Sequence, residues 1–140
     1  MNDPRNVILF LCVANSARSQ MAEGIARTLA PKGIEVMSAG SRVSTVNPHA
    51  IAALYEIGID IAHHASKGVE TIDPRRVRTV ITLCAEEVCP AFLGNAERLH
   101  WPFPDPAAAR GDAEEAMNSF REVRDALRDK IRRRFATLIA

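Results

Sequence analysis

Aromatic residues are scarce in this chain, with one Trp, one Tyr and five Phe in 140 residues. So small a supply is poorly suited to wall a pocket around a phenyl ring. Charge of one sign is not in excess either: 18 Lys and Arg stand against 17 Asp and Glu, for a net charge of +1. That balance gives no support for a nucleic-acid or membrane-surface partner, which shows as a basic excess or patch. Apolar runs stay far short of the roughly 20 residues that span a bilayer. The opening Met1-Asn2-Asp3-Pro4-Arg5-Asn6 lacks the charged start of a signal peptide, and Val7 to Val13 is too short for its apolar stretch. A cytoplasmic location is therefore expected. Missing too are GxGxxG, a Walker loop and CxxC, so no nucleotide cofactor and no thioredoxin-type motif are indicated. His49, His63, His64 and His100 fall in no metal-ligand spacing and read as structural or solvated.

Cysteine is sparse and odd in number: Cys12, Cys84 and Cys89. Three do not make a disulfide framework, and in a reducing compartment thiols are more often catalytic, redox-active or metal-binding. Hydrophobic content of 47% and charged content of 25% are those of an ordinary globular protein. The length fits one domain, residues 1–140, with one core. We expect a monomer.

The pattern along the chain alternates strand and helix. Val7 to Val13 is a continuous apolar run, as in a strand buried on both faces. Ser19 to Ala30 has helical spacing through Met21, Ile25 and Leu29, with Arg18 and Ser19 at its start. Glu35 to Ser38 is a short strand. Asn47-Pro48 reads as an N-cap and first helical position of a helix that runs to about Ile57 and stops at Gly58. Asp73-Pro74 starts a short turn. Thr79 to Cys84 is a third buried strand and Arg98 to Trp101 a fourth, while three prolines between Pro102 and Pro106 exclude regular structure there. From Glu114 onward, apolar residues from Met117 to Leu138 recur at spacings of three and four, which makes a long amphipathic helix. The basic run Lys130 to Arg134 near its end reads as a solvated face. The expected fold is α/β, a four-stranded parallel sheet with helices on both faces, which binds ligands where strand ends meet helix starts.

Cys12 sits at such a junction. Cys12-Val13-Ala14-Asn15-Ser16-Ala17-Arg18-Ser19 is a loop leading into a helix N-terminus. The backbone N–H groups of Val13, Ala14, Asn15, Ser16, Ala17 and Arg18 are expected to form a nest for a tetrahedral oxyanion. The Arg18 guanidinium adds a planar fork for two of its oxygens. The same positive potential would hold Cys12 as a thiolate. Asn15 is suited to positive φ in so tight a loop. Ser19 is placed to donate a hydrogen bond to the sulfur. C-x5-R alone is a weak signal; between a buried strand and a helix it becomes a stronger one.

Cys12-Val13-Ala14-Asn15-Ser16-Ala17-Arg18-Ser19-Gln20-Met21-Ala22-Glu23 resembles the phosphate-binding loop of the low-molecular-weight protein tyrosine phosphatase fold. More narrowly, it resembles the thioredoxin-coupled arsenate reductases built on that fold. The likeness continues through Ser38-Ala39-Gly40, Val46-Asn47-Pro48, Asp60 to Ser66, Val80 to Cys84, Trp101, Asp105-Pro106 and the helix at Phe120 to Asp125.

The resemblance implies that Cys12 attacks a bound oxyanion while Asp105 protonates the departing oxygen. It implies further that Cys12 forms a thiol–arsenate adduct, that Cys84 attacks the Cys12 sulfur and releases arsenite, and that Cys89 then takes over Cys84. A Cys84–Cys89 disulfide is left for thioredoxin or glutaredoxin to reduce. Phosphate and sulfate are expected as competing anions. The residues alone leave two other readings of Cys84 and Cys89: incidental cysteines flanking a loop, or a zinc site with His100, which lacks a fourth ligand. Two alternatives to reduction stay open. One is a low-molecular-weight phosphatase acting through a Cys12 phosphocysteine; the other is a non-catalytic oxyanion-binding redox sensor.

This sequence departs from the family in several places. Gln20 stands where the phosphatases have proline, and Ala107 follows Asp105-Pro106 where they place tyrosine. Ala17 replaces a cysteine of many relatives, and the Cys84–Cys89 interval is shorter than in well-known thioredoxin-coupled members. Some relatives bind potassium through positions that match Asn15, Glu23, Ser38, Ala65 and Lys67 here. With alanine and lysine among them, we expect no potassium site; the Lys67 ammonium either takes its place, paired with Glu23 and steadying Asn15, or stands free on the surface.

Overall fold

The computed structural model describes residues 5–85, 92, 94–108 and 111–139. Four parallel strands, β1 (Val7–Cys12), β2 (Glu35–Gly40), β3 (Val77–Thr82) and β4 (Glu97–His100), lie in the order β2-β1-β3-β4. The helices are α1 (Arg18–Leu29), α2 (Pro48–Tyr55) and α3 (Ala113–Ile139). Each expected element is present, with ends shifted by a few residues. Helix α2 stops at Tyr55, and its exit passes through Gly58 at φ 82°, a conformation that glycine adopts without strain.

β1 is central and every residue in it is buried, which is why it lacks polar alternation. Its two faces feed different layers. Ile8 and Phe10 join the cluster formed with α1, α2 and α3, where Met21, Ile25, Leu54, Phe120, Leu127, Ile131 and Phe135 are buried. Helices α1, α2 and α3 therefore share one face. Val7, Leu9 and Leu11 point to the other, against Ile72, Val77, Val80 and Phe92. Among the described residues, helical cover on that side includes a 3-10 turn, Val69–Thr71, with Val69 against the cluster. Burial of these aliphatic and aromatic side chains supplies about 1.5–3 kcal/mol each.

The α2–α3 contact also carries a polar clamp. Arg124 Nη1 donates to the Ala53 carbonyl at 2.9 Å and to Glu56 Oε1 at 2.8 Å, and Arg121 Nη2 donates to Glu56 Oε2 at 2.7 Å. These bonds, the Arg121 bond foremost, lower the Glu56 pKa from 4.5 to about 2.

The parallel register sets up the site. Leu11 is level with Thr82, and Leu83 N–H donates to the Leu11 carbonyl at 2.9 Å. Cys84 thus leaves the sheet beside the strand end that carries Cys12.

Candidate active site

β1 ends at Cys12, and residues 13–17 turn the chain into α1. All five carbonyls of this turn are engaged from outside. Val13 O accepts from Arg42 N–H, Ser16 O from Asn47 N–H and Ala17 O from Met21 N–H, each at 2.9 Å. Ala14 O accepts from Ser66 Oγ at 2.8 Å and Asn15 O from Gln20 Nε2 at 3.2 Å. With its carbonyls turned outward, the loop has its N–H edge left for the inner side, the arrangement of an anion nest. Asn15 takes φ 50°, the left-handed conformation that asparagine tolerates better than most residues.

The inner side is a pocket of about 120 Å³ lined by Cys12, Ala14, Ser16, Ala17, Arg18, Asp105 and Ala107. Sites for drug-sized molecules run to about 300–1,000 Å³; this one suits a small tetrahedral anion. Its apolar lining is alanine, with no aromatic ring among the described residues that line it. The sequence-expected nucleophile, guanidinium and acid are thereby brought to one place.

Cys12 is 3% exposed, and its Sγ lies 2.8 Å from Ser19 Oγ. Asn15 Nδ2 donates to that same Ser19 Oγ at 2.8 Å and to Ser38 Oγ at 2.9 Å. Arg18 is buried, and its Nη1 donates to Phe103 O at 3.0 Å and Leu83 O at 3.5 Å. One guanidinium thus touches the segment before Cys84 and the segment before Asp105. Asp105 is exposed, and its Oδ1 accepts from Ala107 N–H at 2.9 Å, which fixes the carboxyl over the turn.

Cys84 is buried and disulfide-bonded, whereas Cys12 is a free thiol. Cys89 lies outside the described residues. A disulfide-bonded Cys84 is not a zinc ligand, and His100 Nδ1 is 2.7 Å from Thr82 Oγ1. Among the described residues, His, Cys, Asp and Glu form no group of three that could hold a metal.

Glu23 is 1% exposed inside α1. It accepts from Ser38 Oγ at 2.7 Å and pairs with Arg27 at 3.1 Å and Lys67 Nζ at 3.4 Å. Lys67 Nζ also donates to Ala65 O at 3.3 Å. An ammonium already on the carboxylate does not fit a potassium ion among the same atoms. Lys67 meets Asn15 differently from expectation: its backbone N–H donates to Asn15 Oδ1 at 2.7 Å. His64 Nδ1 is 3.4 Å from Glu23 Oε2, and burial pushes the His64 pKa down, against the opposing pull of Glu23.

Sequence reasoning missed the part played by Gln20 and His64, which close this network at 3.0 Å. The signal was a polar Gln20 set among residues of a core-facing helix; its partners outside the loop, His64 and Ala65, lie 44 and 45 positions away, beyond any local spacing. No helix in the described residues is long and apolar enough to cross a membrane.

Comparison with known proteins agrees with this geometry. Residues 7–140 match the model of the low molecular weight phosphotyrosine protein phosphatase family. An arsenate reductase of Halalkalibacterium halodurans is 45% identical over 130 residues, 91% of this chain and 94% of that one. The solved structure of an arsenate reductase in its phosphate binding state is 33% identical with a TM-score of 0.77, covering 94% of this chain and 97% of the other. A thioredoxin-dependent arsenate reductase of Corynebacterium glutamicum is 27% identical with a TM-score of 0.67, covering 94% of this chain and 60% of its own. A Cys12 loop with its carbonyls engaged outward, on a sheet of this order, and a family match over nearly the whole length lead to one assignment: the chain belongs to the low molecular weight phosphotyrosine protein phosphatase family.

Proposed function

We propose that this protein reduces arsenate to arsenite in the cytoplasm, as a monomer, with Cys12 as nucleophile. The observation that carries the reading is the Cys12 sulfur, 2.8 Å from the Ser19 hydroxyl, on a small pocket shared with Arg18 and Asp105. The loop amides from Val13 to Arg18 and the Arg18 guanidinium hold the arsenate oxygens. Cys12 thiolate bonds to arsenic as one oxygen, protonated by Asp105, departs as water. Cys84 thiolate then attacks the Cys12 sulfur. The S–As electron pair goes to arsenic, arsenite leaves, and a Cys12–Cys84 disulfide remains. Cys89 attacks Cys84, which frees the Cys12 thiolate and leaves a Cys84–Cys89 disulfide. A dithiol such as thioredoxin, or glutathione with glutaredoxin, supplies the two electrons that reopen it. Strand register supports the exchange, since Cys84 follows a residue bonded to Leu11. A free Cys12 beside a disulfide-bonded Cys84 is the arrangement this cycle leaves before reduction.

Phosphate ester hydrolysis is the second reading, favoured by the family match and by a first step common to both reactions. Alanines at 14, 17 and 107 give a phenyl ring little to pack against. Arsenite production with thioredoxin or glutaredoxin systems, followed beside hydrolysis of an aryl phosphate, separates them. Cys84→Ser is expected to abolish arsenate turnover and leave any aryl phosphate hydrolysis largely intact. Normal arsenate reduction by both Cys84→Ser and Cys89→Ser under a physiological reductant would refute the shuttle. Disulfide formation without turnover would identify a redox sensor.

A further inference from the structure

We propose that Gln20 and His64 are positioning residues for the Cys12 thiolate, at the far end of a one-way series of hydrogen bonds that ends on the sulfur. This rests on the reading of Cys12 as the nucleophile. The direction of each bond follows from groups whose role has no freedom. Lys67 N–H can only donate, so the Asn15 atom it meets at 2.7 Å is the oxygen, Oδ1. The Asn15 amide nitrogen then faces Ser19 Oγ and Ser38 Oγ. Ser38 passes its own hydrogen to Glu23 Oε1 at 2.7 Å. Ser19, which accepts from Asn15, has its hydroxyl hydrogen left for Cys12 Sγ at 2.8 Å.

Gln20 is fixed by the same logic. One end of its amide meets three oxygens, Asn15 O at 3.2 Å, Asn15 Oδ1 at 2.9 Å and Ala65 O at 3.0 Å. That end is the nitrogen, and Oε1 is left facing His64 Nδ1 at 3.0 Å. His64 Nδ1 must therefore carry hydrogen. On the opposite side of the ring, Arg27 Nη1 lies 3.4 Å from Nε2; a guanidinium has no lone pair to offer, so Nε2 accepts. The ring is held as the Nδ1–H tautomer. Glu23, Arg27 and Lys67 face it from α1 and from its own loop, and the His63 ring stands edge-on at 4.8 Å.

The series runs His64 to Gln20 to Asn15 to Ser19 to Cys12, each member donating toward the sulfur. Gln20 and Asn15 are wholly buried, so aligned dipoles act there with little screening. Gln20 does more than pass on polarity. It holds both the carbonyl and the side chain of Asn15, the residue with positive φ, and so steadies the turn beneath the nucleophile.

The test reads the thiolate without arsenate, so an inactive reductase and a broken series are distinguished. Iodoacetamide alkylation of the Cys12 peptide is followed by mass spectrometry across pH. Gln20→Leu and His64→Leu are expected to slow alkylation about three- to tenfold below the pH midpoint of the parent protein. His64→Asn, whose amide hydrogen replaces Nδ1–H, is expected to restore the parent profile. Identical profiles for a folded Gln20→Leu and the parent would overturn the proposal, as would equal profiles for His64→Leu and His64→Asn. In the unaltered protein, ring 15N shifts are expected to show His64 as Nδ1–H; an Nε2–H tautomer would overturn it without any substitution.

Discussion

Gly40 lies against the Val13 carbonyl so closely that a Cβ added to it would sit 2.4 Å from that oxygen, and 2.8 Å from Asn15 N. The last residue of β2 thus forms the back of the Cys12 loop. Gly40→Ala must push the loop out of place, since both obstacles are backbone. We expect a loss of about 1–3 kcal/mol in chemical denaturation, together with a drop in turnover larger than the stability change alone would give. A parent-like rate would show that the loop tolerates the shift.

Ser19→Ala removes the hydroxyl that lies 2.8 Å from the Cys12 sulfur and leaves Asn15 Nδ2 with one acceptor fewer. Turnover is expected to fall about ten- to a hundredfold, the scale of a hydrogen bond to a charged group. Ser19→Thr keeps the hydroxyl and should recover most of the rate, as measured by arsenite formation.

Asp105→Asn separates the proposed acid role from the structural bond to Ala107 N–H. An asparagine side-chain oxygen still accepts from Ala107 N–H, so the melting temperature should hold. Turnover should fall about 10²–10⁴-fold, the usual contribution of a general acid. Unchanged turnover would remove Asp105 from the chemistry.

Glu56 provides a pH-dependent test of the α2–α3 clamp. Its folded pKa of about 2 lies below the ordinary 4.5, so its stabilising effect is present above about pH 4.5 and is lost as pH falls toward 2. The parent protein should lose more stability than Glu56→Gln over that interval, read from denaturant midpoints. Parallel loss in both would show that the clamp contributes nothing through this charge.

Much of the site was legible because its spacing is local. Cys12, Asn15, Arg18 and Ser19 lie within eight residues, and a strand feeding a helix leaves few ways to arrange them. The positive φ of Asn15 and the Ser19–sulfur contact follow from that constraint, as does the Lys67–Glu23 pair from the family pattern. What could not be read depends on pairing across the chain. Phe103 and Leu83 reach Arg18 only through the sheet order, and Ala65 and His64 reach Gln20 only when the loop after α2 folds back. The limits of β3 moved for a similar reason: Val77 is level with Val7 on β1, a match that no propensity encodes. Cover of one face by α1, α2 and α3 together likewise depends on where α3 lands, not on its stripe.

The two carbonyls that Arg18 grips belong to separate stretches of chain, one leading to Cys84 and the other to Asp105. A single side chain therefore works as a rivet through three plates. On the proposed mechanism the acid and the second sulfur would then share one mechanical joint, because a shift of that guanidinium would reach the segments that carry Asp105 and Cys84 together.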